Sequence, residues 1–192
     1  MSSTEYAPAR TALLAVDIQE SFRHRPYWSD DDVPEFLEAA QRLIVACEAT
    51  AIPVVQIFHV EEQGAFSPAS GHVRTMVGLA IEPGVAIHKR HFNAFVETEL
   101  GPWLSARGIT RLIVCGIRTE QCCETTTRHA AEHGFEVDFV SDATLTFAMT
   151  HPLTGRSYSA AEIKARTELV LAGRFARIRR AGEVCEELMA ER

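Results

Sequence analysis

The sequence CGIRTEQCCETTTRHA, running from Cys115 to Ala130, follows an apolar run, Leu112, Ile113 and Val114, and carries a turn glycine, Gly116. The run is too short for a helix and reads as a buried strand; beyond the turn the composition is helical as far as Gly134. A strand, a turn and a helix therefore meet with a cysteine in the elbow. With Thr119 as the helix cap, Cys122 falls in the first turn, where unpaired backbone N–H groups and the positive end of the helix dipole favour a thiolate. On these residues alone two readings of Cys122 stand side by side: a nucleophile, or a small buried apolar side chain.

A chain of 192 residues has the size of one α/β domain and is read as a single domain over 1–192. Its 19 Lys and Arg against 26 Asp and Glu leave a formal net charge of -7, the wrong sign for coating nucleic acid or an anionic membrane. Five cysteines, Cys47, Cys115, Cys122, Cys123 and Cys185, form no paired C-x-x-C pattern and suit a reducing cytoplasm. No apolar stretch approaches the roughly 20 residues of a membrane span, and the polar start MSSTEYAPAR has no signal-peptide core. The expectation is a cytoplasmic protein with a loosely held start.

Working outward from the elbow, Thr11 to Val16 reads as a central strand with Asp17 at its carboxyl end, where open α/β sheets bind their ligands. A loop over the strand ends follows, with Phe22, Tyr27 and Trp28 as possible pocket walls. Asp32, Pro34 and Glu35 open an amphipathic helix to about Thr50 that turns Phe36, Ala40, Leu43, Ile44 and Cys47 inward. Ile52 to Val60 is the second strand, and residues 61–80 are a long loop or a lid carrying a short helix. Val85 to His88 is a third strand leading into Lys89; a helix around Phe95 to Leu100 and another ending at Gly108 precede the fourth strand, Ile109 to Cys115. After the elbow helix come a fifth strand, Phe135 to Val140, the loop SDATLTF, a helix opened by the capping box of Ser159 and Glu162, and an edge strand at Phe175 to Ile178. The alternation predicts a mostly parallel, doubly wound α/β sheet of five or six strands between helical layers. Neither G-x-G-x-x-G nor a Walker pattern is present, which argues against a nucleotide site.

With Asp17, Lys89 and Cys122 at three strand ends, the chain resembles the isochorismatase-like cysteine hydrolases. The matching segments are LLAVDIQESF, KRHFNAF, CGIRTEQCCETTTRHA and SDATLTF, in the family's order over about residues 11–180. The resemblance implies that Cys122 attacks a carbonyl carbon to form a thioester, Asp17 moves the proton, and Lys89 holds both anions. It also implies a cis peptide between Ile117 and Arg118, with the N–H groups of Arg118 and Cys122 forming an oxyanion hole. Gln19, Phe22, His59, Asn93 and Phe147 would be pocket residues. Arg118 replaces the small residue usual in the family, and its side chain is expected to meet either an anionic substrate or a neighbouring subunit. VQIFHVEEQGAF does not reproduce the aspartate and histidines that nicotinamidases carry after this strand as a metal site, so that branch is disfavoured and no metal is expected.

The function that follows is hydrolysis of a C–N bond in a small amide, carbamoyl or ureido compound by a cofactor-independent enzyme that is a homo-oligomer. The alternatives are vinyl ether hydrolysis of the isochorismatase type and a non-catalytic binding member of the fold. An oxidoreductase using Cys122 and Cys123 is disfavoured, because adjacent cysteines close a strained ring.

Overall fold

The computed structural model describes residues 10–190. The expectation for the first residues lies outside that range. Six parallel strands form the central sheet: β1 (Thr11–Val16), β2 (Val54–His59), β3 (Val85–Lys89), β4 (Arg111–Ile117), β5 (Glu136–Leu145) and β8 (Arg177–Arg179), in the order β3-β2-β1-β4-β5-β8. The short strands β6 (Met149–Thr150) and β7 (Ser157–Tyr158) pair separately as an antiparallel hairpin.

β1 lies at the centre because its side chains are apolar in both directions. Leu13 and Ala15 point to one face, where they meet α1 (Val33–Ala49) and α5 (Ala181–Ala190); Ala12, Leu14 and Val16 point to the other, toward α2 (Leu100–Ala106), α3 (Glu124–Glu132) and α4 (Ala160–Leu171). β4 alternates in the same way, with Ile113, Cys115 and Ile117 on the first face and Leu112 and Val114 on the second. The inward stripe expected of α1, Phe36, Ala40, Leu43, Ile44 and Cys47, is buried. The capping box of Ser159 and Glu162 opens α4.

The structure departs from the sequence reading at several points. β4 runs on through Gly116 to Ile117, and SDATL belongs to β5 rather than to a loop. The register of β5 against β4 slips between Val114 and Gly116, an irregularity that lets polar Ser141 and Thr144 ride in a buried strand. No helix covers Phe95 to Glu99; α2 begins at Leu100. Within 61–80 lie two short 3-10 turns, Gly64–Phe66 and Pro68–Ser70, and the segment is tied to the loop after β1 by Ser21 N–H to the His72 carbonyl and Met76 N–H to the Ile18 carbonyl. α5, not anticipated, packs Val184 and Leu188 into the same core as α1. Among the described residues no helix is long and apolar enough to cross a membrane.

Candidate active site

The carboxyl ends of β1, β3 and β4 build the site, with the end of β2 lying between those of β3 and β1. Asp17 follows β1 directly, with φ at 51°, a conformation a non-glycine residue adopts only where its surroundings hold it. Lys89 is the last residue of β3. Cys122 sits in a π-helical turn, Thr119–Cys123, that leads from β4 into α3. Gly116 makes this convergence possible: it pairs with Val16, and a β carbon on it would lie 1.9 Å from the Val16 carbonyl oxygen. Only glycine lets β4 pass so close to the residue before Asp17. The Ile117–Arg118 peptide is cis, as the resemblance implied.

Lys89 Nζ stands 2.7 Å from Asp17 Oδ2 and 3.4 Å from Cys122 Sγ, so an ammonium bridges the carboxylate and the sulfur. It also lies 3.1 Å from the His91 carbonyl and 3.3 Å from His59 Nδ1. The side chains of Asp17 and Lys89 are fully buried. Burial alone depresses the ammonium, but Asp17 and Cys122 outweigh it, and Lys89 is held above its ordinary range. Burial, and then the Asp17 charge, push the Cys122 thiol far up, against the opposing pull of Lys89. This corrects the expectation of a depressed thiol at a helix start: desolvation and a neighbouring carboxylate outweigh the dipole, and the resting group is a thiol. Thr119 is also not the cap; its Oγ1 donates to Thr144 Oγ1 at 2.8 Å, and the Arg118 carbonyl instead receives the N–H groups of Gln121 and Cys123.

Asp17 and Cys122 open onto a pocket of about 310 Å³ also lined by Phe22, Arg25, Tyr27, His59, Glu61, Phe66, Phe92, Arg118 and Gln121. Of the expected pocket residues, Phe22 and His59 therefore line it; the other three do not. Gln19 is fully buried and spent on structure, its amide nitrogen donating to the His59 carbonyl and its oxygen accepting the His59 N–H. Asn93 turns back to accept the Phe95 N–H. Phe147 stands behind the wall, its ring 5.3 Å from that of Tyr27. Arg118 lies at the pocket: its guanidinium is 4.7 Å from the Tyr27 ring and pairs with Glu120 at 2.7 Å, while Thr146 donates to the other Glu120 oxygen.

Arg25, Phe66, Phe92 and Gln121 carried no signal in the sequence, and Glu61 stood there with His59 only as a weak metal-ligand candidate. Phe66 and Glu61 lie in the segment after β2, whose composition carries no period, and docking of that segment brings them to the rim. Arg25 links the two loops, pairing with Glu61 at 2.5 Å and lying 4.4 Å from the Phe66 ring. Among the described residues no group of three or more His, Cys, Asp or Glu converges as metal ligands.

The Isochorismatase domain model matches residues 11–172. A streptothricin hydrolase of Streptomyces noursei is 33% identical over 146 residues, which cover 71% of this chain and 50% of that protein. A ureidoacrylate amidohydrolase of Acinetobacter baylyi is 27% identical over 161 residues, covering 65% of this chain and 66% of the other. Among solved structures, an isochorismatase-family protein of Chromobacterium violaceum superposes with a TM-score of 0.89 at 27% identity, covering 99% of each chain.

Proposed function

We propose that this chain, which belongs to the isochorismatase family of hydrolases, is a cysteine-dependent hydrolase of a C–N bond in a small amide, carbamoyl or ureido compound. The observation that carries the reading is the buried ammonium of Lys89 between the Asp17 carboxylate, at 2.7 Å, and the Cys122 sulfur, at 3.4 Å. Relatives bearing amidohydrolase and hydrolase names support it.

The chemistry follows from the charges. Because the resting sulfur is a thiol, its proton leaves as the sulfur attacks, and Asp17 is the base beside it. The negative charge that leaves the sulfur accumulates on the carbonyl oxygen, where the backbone N–H groups of Arg118 and Cys122 are the proposed donors. Collapse of the tetrahedral species breaks the C–N bond. Asp17 returns its proton to the departing nitrogen, leaving an acyl thioester on Cys122. Asp17, again a carboxylate, then takes a proton from water as the water oxygen attacks the thioester, and the thiol is regenerated. Lys89 keeps its charge throughout and prevents Asp17 from standing as an isolated buried anion. A pocket of about 310 Å³ walled by Phe22, Tyr27, Phe66 and Phe92 suits a small, partly apolar substrate. We propose further that the enzyme is a homo-oligomer and that it works in the cytoplasm, the latter supported by its five free cysteines, which suit a reducing compartment.

The test is ammonia or amine release from a panel of small amides, carbamoyl compounds and ureido acids, with the intact chain and Cys122→Ala in parallel. Release that disappears in the variant is expected. Release that persists in the variant would instead fit ether-hydrolase chemistry, which needs no thiol, and silence across the panel would remove the amide reading.

A further inference from the structure

Almost every polar side chain around the pocket already has a partner. The charged groups that line it are each met by an opposite charge: Asp17 by Lys89 at 2.7 Å, Arg25 and Glu61 by each other at 2.5 Å, and Arg118 by Glu120 at 2.7 Å. The Cys122 sulfur and His59 Nδ1 both face the Lys89 ammonium, at 3.4 and 3.3 Å, and the Tyr27 hydroxyl lies beside the Arg118 guanidinium. Gln121 is the exception. It lines the pocket, is half-buried, and among the described residues its carboxamide has no hydrogen-bond partner. Gln19 shows the contrast, its carboxamide being fully buried with both nitrogen and oxygen bonded to the protein. An amide like that of Gln121 loses free energy when a substrate displaces its water, unless the substrate supplies the partners.

We infer that Gln121 is a substrate-binding residue that sets specificity, and that the group it takes is uncharged and of the amide type. The inference rests on Cys122 as the nucleophile of the proposed hydrolase. Gln121 and Cys122 are consecutive, with Cα atoms about 3.8 Å apart, so one small molecule reaches both. The reacting carbonyl is committed to the sulfur and to the backbone N–H donors, and the carboxamide therefore meets a second group on the same substrate. It presents an acceptor oxygen beside N–H donors. A primary amide, or the terminal carbamoyl group of a ureide, presents the same pair in the opposite sense, and the two form parallel hydrogen bonds. A carboxylate has acceptors alone and leaves the Gln121 oxygen unpaired. It would also enter a pocket whose cations already hold their counter-charges and whose remaining walls, Phe22, Phe66 and Phe92, offer an anion nothing in return for its lost water. The substrate class is thus a small diamide or ureide, cut at one carbonyl and held by the other.

The test uses three molecules of matched size: succinamide, succinamate and isocaproamide, whose far ends are an amide, a carboxylate and an isopropyl group. Ammonia release by the intact chain is expected to favour succinamide over the other two by about a hundredfold in kcat/KM, roughly tenfold for each neutral hydrogen bond lost. In Gln121→Leu that preference should shrink to within about threefold. Binding is read separately, by calorimetric titration of the three into Cys122→Ala, where succinamide should bind tightest by a similar factor and lose the advantage once Gln121→Leu is added. Preferential binding with no ammonia released by the intact chain would remove the hydrolase reading and leave this inference standing; ammonia release from all three at equal kcat/KM would do the reverse. Equal affinities, or no binding of any of the three, overturns the inference. The titrations that keep Gln121 decide this without relying on a variant at that position to fold.

Discussion

Replacing Gly116 by alanine tests whether close approach of β4 to β1 is what assembles the site. The residue has φ at +134°, and an added β carbon would meet the Val16 carbonyl oxygen at 1.9 Å, its carbon at 2.7 Å and its nitrogen at 2.8 Å. All three are backbone atoms of the central strand, so no side chain can swing away to relieve the contact. The conformation alone costs about 1–3 kcal/mol for a residue with a β carbon. Displacing two fully buried strands adds to that, and the total should exceed about 4 kcal/mol, a large part of the ~5–15 kcal/mol that holds a domain together. Gly134 supplies the control, since its φ is also positive, at +87°, yet nothing lies within 4 Å of an added β carbon. Gly134→Ala should therefore lose about 1–2 kcal/mol. Denaturant unfolding followed by tryptophan fluorescence measures both, and Cys122 alkylation reports whether any folded Gly116→Ala retains the site. Equal destabilisation of the two variants would refute the close-approach account.

Three further outcomes are expected. Lys89→Met removes the ion-pair partner of a fully buried carboxylate and should cost about 3–5 kcal/mol in urea unfolding, much of it recovered by adding Asp17→Asn; simple additivity of the two changes would contradict the pairing. Burial pushes the Cys115 thiol from 9.0 up to about 12, so the folded chain keeps a proton that the unfolded chain loses. Stability must then fall as pH rises from about 9 toward about 12, by at most ~1.4 kcal/mol per pH unit. Cys115→Ala should lose about 2 kcal/mol less than the intact chain between about pH 9 and 11, and equal losses would show that this thiol does not ionise on unfolding. Arg118→Ala strands the buried Glu120 carboxylate with Thr146 as its remaining partner and should cost about 3 kcal/mol, partly restored by Glu120→Gln; an undiminished stability would mean that the pair is not a buried one.

How much of this was legible in the sequence depended on the length scale of each feature. β1 and α1 could be read because their apolar residues repeat over six or more positions; the elbow strand and the strand before Lys89 showed only as shorter runs, Leu112 to Val114 and Val85 to His88, and Asp17, Lys89 and Cys122 lie at or just beyond the ends of these three strands. SDATLTF misled because Ser141, Asp142 and Thr144 look like a loop; the strand carries them through a register slip that no local period announces. The two-residue strands β6 and β7 are too short to leave a pattern. α5 does leave a signal, Ala181, Val184 and Leu188 at helical spacing, but one carried by three apolar positions at the end of the chain. Within the site, position along the chain proved easier to read than direction. Gln19 and Asn93 lie in the expected segments but point into structural hydrogen bonds. The thiol's environment was misjudged for a related reason: a helix start is visible in sequence, whereas the desolvation that overrides it comes from contacts between distant segments.

The central claim is a covalent bond to Cys122 during turnover. Once a substrate is found, a rapid acid quench in the steady state, followed by peptide mass spectrometry, tests it directly. The account predicts the mass of the substrate's acyl group on the peptide containing Cys122, and none on Cys123 or in Cys122→Ala. Turnover with unmodified Cys122 at every quench time, retained by Cys122→Ala, would contradict it.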